Sequence, residues 1–413
     1  MQIWYALWRK GDVIMDKNYQ RTLYACFTGY IVQAIVNNFV PLLFLTFHSS
    51  YGIPMTQITL LITFNFGLQL LVDILSVAFV DRIGYRASMV IAHICAVAGF
   101  ICLTILPDML RSPFAGLMAA VAIYAVGGGL LEVLVSPIVE ACPTKNKEKA
   151  MSLLHSFYCW GHMAVVFVST AFFYLFGIEN WKIMACIWAV IPFANMVVFT
   201  KVPIASLVDE GEKGLTISQL FHKKIFWVLM VMMVCAGASE QAVSQWASAF
   251  AELGLNVSKA IGDLAGPMLF AFFMGSARAF YGKYGERIDL DHFMVGSSIL
   301  CILAYLCISL EPSPAVGFIG CGLCGLSVGI MWPGVFSKAA ALEAKGGTAM
   351  FALLALAGDI GCAGGPTVVG MVSGALGNDL KMGILAGVAF PVLLLIGIYL
   401  CQIWNRKCSR ISY

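Results

Sequence analysis

Apolar residues fall along this chain in long unbroken blocks, with neither the alternation of a half-buried strand nor the narrow stripe of a helix lying on a water-soluble core. Twelve blocks stand out, near 22–47, 55–80, 87–107, 114–138, 150–176, 182–200, 225–249, 261–281, 292–311, 315–337, 348–375 and 382–404. Each is close to the roughly 20 apolar residues that a helix needs to cross a bilayer. The pattern predicts an all-α membrane protein with twelve transmembrane helices. The longest polar interruption, 201–224 (KVPIASLVDEGEKGLTISQLFHKK), divides them into two sets of six. The expected organisation is a six-helix bundle over 1–200, a cytoplasmic linker over 201–224, and a second six-helix bundle with a short cytoplasmic tail over 225–413.

Composition agrees with this reading. Hydrophobic residues make up 60% of the 413 positions and charged residues only 11%, with a mean hydropathy of +0.88. Soluble domains carry about 25% charge, so membrane lipid is the expected surrounding. A net charge of +3 offers no basic surface for nucleic acid. Where the positive charges lie says more. With both termini on one side, 21 of the 25 Lys and Arg residues fall on that side, and only Arg111, Lys182, Lys259 and Lys381 on the other. The positive-inside rule makes the rich side cytoplasmic. Residues 1–20 lack a signal peptide's apolar core; Trp4, Tyr5 and Trp8 beside Arg9 and Lys10 suit the membrane interface.

The two sets of spans resemble each other. Arg82-Ile-Gly84-Tyr-Arg86 after the second span matches Lys283-Tyr-Gly285-Glu-Arg287 after the eighth. Gly29 and Gln33 in the first span match Gly237 and Gln241 in the seventh, Pro137 matches Pro333, and Ala150-Met151 matches Ala349-Met350. The offsets are 201, 208, 196 and 199 residues, in one order. Two repeated six-span halves are the plan of secondary transporters, whose site lies near the midplane between the halves.

The stretch Asp81-Arg82-Ile83-Gly84-Tyr85-Arg86 resembles the loop motif of the major facilitator superfamily, with Val77 in place of its first glycine. Within that superfamily, Leu131-Glu132 with Pro137, Phe157 with Gly161, and the Asn37-Asn38 pair resemble the fucose permease branch of sugar:proton symporters. That branch's proton-linked aspartate aligns with Pro41 and its sugar-contacting asparagine with Tyr158. The resemblance implies two pseudo-symmetric six-helix bundles and transport by alternating access. It also implies that Asp81, Arg82 and Arg86 make inter-helix charge contacts holding one transport state closed.

Charged residues inside a bilayer cost about 2.5–3.5 kcal/mol each on insertion scales, so they mark cavities or partners. Glu132 lies roughly 12 Å inside the fourth span at the usual helical rise. With no aspartate at position 41, it is the expected proton carrier, and His155 is the alternative. In the fifth span His155, Tyr158 and His162 share one helical face. The seventh span places Glu240, Gln241, Ser244, Gln245 and Trp246 within two turns, facing Gln33, Asn37 and Asn38 of the first. Amides and an indole suit sugar hydroxyls and the apolar face of a sugar ring. These residues are expected to bind the solute, and Asp73 and Asp359 to act in gating. No phosphate-binding loop, catalytic set or metal-ligating spacing is present, so neither an enzyme nor a cofactor is expected.

The expected function is proton-coupled symport of a small neutral hydroxylated solute, a monosaccharide by preference. The expected protein is a monomer in the plasma membrane, driven by the proton gradient. An efflux antiporter for apolar drugs would call for a greasier cavity; a transporter-like receptor or scaffold would need no titratable residue within the bilayer.

Overall fold

Twelve helices in the computed structural model are long and apolar enough to span a bilayer: α1 (Tyr19–Tyr51), α2 (Met55–Ser76), α3 (Tyr85–Met109), α4 (Pro113–Ala141), α5 (Leu153–Phe176), α6 (Ile178–Phe199), α7 (Lys224–Ser244), α8 (Lys259–Tyr281), α9 (Leu290–Leu310), α10 (Pro314–Leu342), α11 (Met350–Ala375) and α12 (Leu380–Trp404). The structure describes residues 17–143, 147–204, 215–284, 288–310, 313–343 and 346–411. Within these stretches the side chains at 17–18, 77–79, 81–82, 147–149, 151–152, 254, 282–283, 347–349 and 405–411 are not described. The number of helices matches the apolar blocks, and most boundaries move by only a few residues. Large apolar side chains such as Tyr174, Leu175, Val190 and Ile319 point outward, as the lipid-facing surface of a multi-pass membrane protein requires.

An even number of crossings returns the chain to the face where α1 begins, called here the terminal face. The same helix pairs pack in both halves: α1 on α5 and α7 on α11, α3 on α4 and α9 on α10. Small residues permit these close approaches. A Cβ at Gly361 of α11 would lie 2.0 Å from the carbonyl oxygen of Val234 on α7, and one at Gly161 of α5 would lie 3.1 Å from Cα of Ile31 on α1.

Several departures from regular helix lie toward the opposite face. Pro41 has no N–H to donate and cannot continue an α-helix, so a 3-10 turn, Val40–Leu43, carries α1 onward to Tyr51. Beyond Ser244 the chain makes one more helical turn, Ala247–Ala249, and a π-turn, Phe250–Gly254. α8 has a π-turn of its own, Leu264–Met268, which contains Pro267. Such local re-windings mark hinges and functional positions. Here they bring α1, α5, α7 and α8 together over the central site.

Candidate functional site

A continuous chain of polar side chains crosses the middle of the molecule. On α1, Gln33 is 2% exposed, and its Nε2 donates both to Gln69 Oε1 of α2 and to Glu132 Oε2 of α4, each at 3.1 Å. Gln69 Nε2 donates in turn to Asn37 Oδ1 at 2.9 Å, and Asn65 Nδ2 reaches the same oxygen at 3.5 Å. The second half joins through Gln245, whose Nε2 donates to the backbone oxygen of Asn37 at 3.2 Å and to Gln241 Oε1 at 3.1 Å. Gln241 Nε2 then donates to Glu240 Oε1 at 3.4 Å. Buried amides need such partners, because an unpaired polar group costs about 1–3 kcal/mol. Three atoms on this chain keep open valences among the described residues: Gln33 Oε1, Asn65 Oδ1 and Arg278 Nε.

The acidic residues divide into two sets. Glu240 is in an ion pair, its Oε2 accepting from Arg278 Nη2 of α8 at 3.0 Å, while Arg278 Nη1 reaches Cys159 Sγ of α5 at 3.4 Å. Arg278 belongs to the basic residues on the cytoplasmic side, and its half-buried guanidinium is the partner of an intramembrane acid. Asp73 of α2, Glu132 of α4 and Asp359 of α11 form the second set, each with a carboxylate oxygen within 4.8 Å of the others. Spacing along the chain revealed no metal-ligating set, yet the fold assembles an all-oxygen cluster from three helices and both halves. At that separation and an effective dielectric of 20, two full charges repel by about 3 kcal/mol. The cluster therefore calls for protons or a cation.

The remaining predicted residues fall in distinct settings. Along α5, His155 is exposed and stacks obliquely on Tyr30 at 5.4 Å, Tyr158 is half-buried, and His162 is buried. The stripe thus runs from an accessible end near the terminal face to a closed interior. Tyr158 Oη accepts from Asn38 Nδ2 at 3.4 Å. Ser244 is buried. The expectation for Trp246 needs correcting: its ring is fully buried, packs on Phe44 at 5.6 Å, and donates from Nε1 to the oxygen of Pro366 at 2.9 Å. It offers no free face to a solute in this conformation. Arg86 donates to the backbone oxygens of Phe199 and Val202, both at 2.8 Å. Those contacts tie α3 to the end of α6 within one half. The side chains of Asp81 and Arg82 lie outside the described residues.

A lock at the opposite face was not anticipated. Asp263 of α8 is fully buried; it accepts from Thr170 Oγ1 of α5 at 3.1 Å and from Ser248 Oγ, and pairs with Lys259 at 3.2 Å. Lys259 Nζ also donates to the backbone oxygen of Leu42 at 2.5 Å, so the network reaches α1 and α5 from the other half. Nearby, the hydroxyls of Thr63 on α2 and Thr367 on α11 meet at 2.5 Å. Removing one partner of a buried pair costs about 3–5 kcal/mol. Asp263→Asn should therefore lengthen the distance between spin labels at the far ends of α2 and α11. An unchanged distance distribution would assign Asp263 to packing alone.

The model of the Major Facilitator Superfamily matches residues 25–366. No curated protein matches the chain in sequence. Among solved structures, the chain resembles the fucose:proton symporter of E. coli, at 14% identity and a TM-score of 0.63 over 93% of this chain and 99% of that one. It also resembles the xylose transporter of E. coli in a partially occluded inward-open conformation, at 10% identity and 0.75 over 93% and 98%. A bacterial homologue of the human lysosomal transporter Spinster aligns at 15% identity and 0.71, over 94% and 97%. The family match over most of its length, together with twelve spans in two repeated bundles, places this chain in the major facilitator superfamily.

Proposed function

We propose that this protein is a secondary active transporter of the plasma membrane that takes up a small neutral hydroxylated solute, a monosaccharide by preference, together with a proton. Both termini are cytoplasmic by the distribution of basic residues. The terminal face is then the cytoplasmic one, and the conformation described is closed to the outside by the Asp263 lock. One observation carries the reading above the rest: the amide chain from Gln33 through Asn37 to Gln245 links carboxyl groups to binding positions in both halves. A sugar hydroxyl both donates and accepts, so it can pair with an open acceptor such as Asn65 Oδ1 or an open donor such as Arg278 Nε.

In this reading Glu132 carries the proton and Gln33 reports its state, because Gln33 Nε2 donates to the carboxylate oxygen. Solute and proton are then linked: each binds more tightly when the other is present. His155, near the accessible end, lies on the exit route toward the cytoplasm. The names of the solved sugar:proton symporters support the solute class, as do the local resemblances around Glu132 and Asn37.

The experiment that tests the solute class is thermal unfolding of the purified protein across a panel of monosaccharides, since a ligand that binds only the folded state raises its stability by mass action. At least one sugar should raise the melting temperature saturably. Gln245→Ala should weaken that binding by about 1–3 kcal/mol, the cost of losing a buried hydrogen-bond partner. A panel with no stabilising sugar would direct the search to other solutes, and unchanged affinity in Gln245→Ala would remove that residue from the site.

A further inference from the structure

The three-carboxyl cluster has more acceptor oxygens than one proton can serve. Asp73, Glu132 and Asp359 each place a carboxylate oxygen within 4.8 Å of the others, close enough for one cation to lie among all three. A second observation points the same way. Gln33 is almost fully buried, and its Oε1 has no hydrogen-bond partner among the described residues. Its Nε2 already rests on Glu132 at 3.1 Å, so a half-turn of the amide brings the open oxygen to the cluster.

We propose that Asp73, Glu132, Asp359 and the side-chain oxygen of Gln33 form a binding site for a sodium-sized alkali cation. The donors are all hard oxygens, which select alkali and alkaline-earth ions over transition metals. Four protein oxygens fall short of the six to eight that calcium takes, and magnesium dehydrates reluctantly and demands a near-ideal octahedron that four side chains on separate helices do not supply. Among the described residues, the other ionisable groups facing the cluster are Glu240 on α7 with its partner Arg278 on α8, Tyr30 on α1, Tyr158 on α5, and Cys362 one turn beyond Asp359. None of them is an unpaired cation that would exclude the ion.

The site sits astride the halves, with two ligands on α2 and α4 and the third on α11, so occupancy favours the conformation in which they meet. It also has a path to the solute positions. When Gln33 turns its oxygen to the ion, Gln69 must turn to donate back, and Asn37 and then Asn65 follow along the same amide chain. Cation and proton compete for the same oxygens. This deepens the transport reading and rests on it, by naming a second ion that can be coupled to the solute.

The test uses the purified full-length protein at constant ionic strength, titrated with sodium chloride against choline chloride while thermal unfolding and proton release into a weakly buffered dye solution are followed. Sodium should raise the melting temperature saturably and release protons; choline should do neither. Half-saturation should rise about tenfold for each unit of pH lowered, if one proton is displaced. Asp359→Asn and Asp73→Asn should each weaken the sodium response more than tenfold. Equal responses to sodium and choline, no proton release from the unmutated protein, or an unaltered response in both variants would overturn the proposal. So would half-saturation by calcium at a tenth of the sodium concentration. Sodium binding without any stabilising sugar would leave the ion site standing and sink the sugar reading; sugar stabilisation with no sodium response would do the reverse.

Discussion

Glu132→Gln should abolish uphill accumulation of solute while leaving exchange down a gradient intact. The amide has the shape of the protonated acid but cannot release a proton, so the carrier can cycle loaded and cannot use the proton gradient. The neutral side chain also keeps a hydrogen-bonding oxygen toward Gln33 Nε2, which lies 3.1 Å from the carboxylate in the native protein. Proteoliposomes preloaded with unlabelled sugar separate the two activities. Counterflow should persist within a few-fold of normal, and accumulation under an imposed pH difference should fall to background. If the variant still concentrates solute, the carboxyl is structural, and His155→Gln is the next substitution to examine.

The second large effect concerns the ion pair between Arg278 and Glu240. Both lie within the membrane-spanning region, and Glu240 is 7% exposed. Breaking a buried pair from one side strands a charge and costs about 3–5 kcal/mol, whereas removing both partners together costs much less. Arg278→Gln alone should lower the melting temperature of the detergent-solubilised protein sharply, and Glu240→Gln alone should also destabilise it. The double variant should recover most of the loss, with a coupling energy in the upper part of the 0.5–3 kcal/mol range seen for contacting residues. Simple additivity would mean that the two charges are solvated independently and that the pair is incidental.

Much of the fold was legible because a bilayer leaves the backbone few choices. Twelve apolar blocks became twelve helices, since each span must satisfy its own N–H and C=O groups. The irregular turns were harder to foresee. Pro41 announces the interruption of α1 and Pro267 lies inside the π-turn Leu264–Met268, but no proline stands in the π-turn Phe250–Gly254. No periodicity marks them.

The centre of the site was half visible. Glu132, Gln33, Asn37 and Gln245 were conspicuous as polar residues in apolar spans, and the structure joins them in one chain of contacts. Asn65 and Gln69 carried an unused signal, since with Asp73, expected to act in gating, they are four apart on α2 and form one polar face. Lys259 and Asp263 repeat that spacing at the start of α8. The meeting of Asp73, Glu132 and Asp359 was beyond reach, because their proximity depends on how α2, α4 and α11 cross between halves. Trp246 shows the opposite error. An indole beside amides suits a sugar, yet its N–H is taken by Pro366 and its ring by Phe44.

The central claim, proton-coupled uptake of a small hydroxylated solute, is tested most directly by transport in reconstituted vesicles. Labelled monosaccharides would be offered to proteoliposomes with an imposed inward proton gradient, and then with the gradient collapsed by a protonophore. At least one sugar should accumulate above its external concentration only while the gradient stands, with protons entering alongside it. Equal uptake with and without the gradient, or proton entry that no sugar stimulates, would contradict the account.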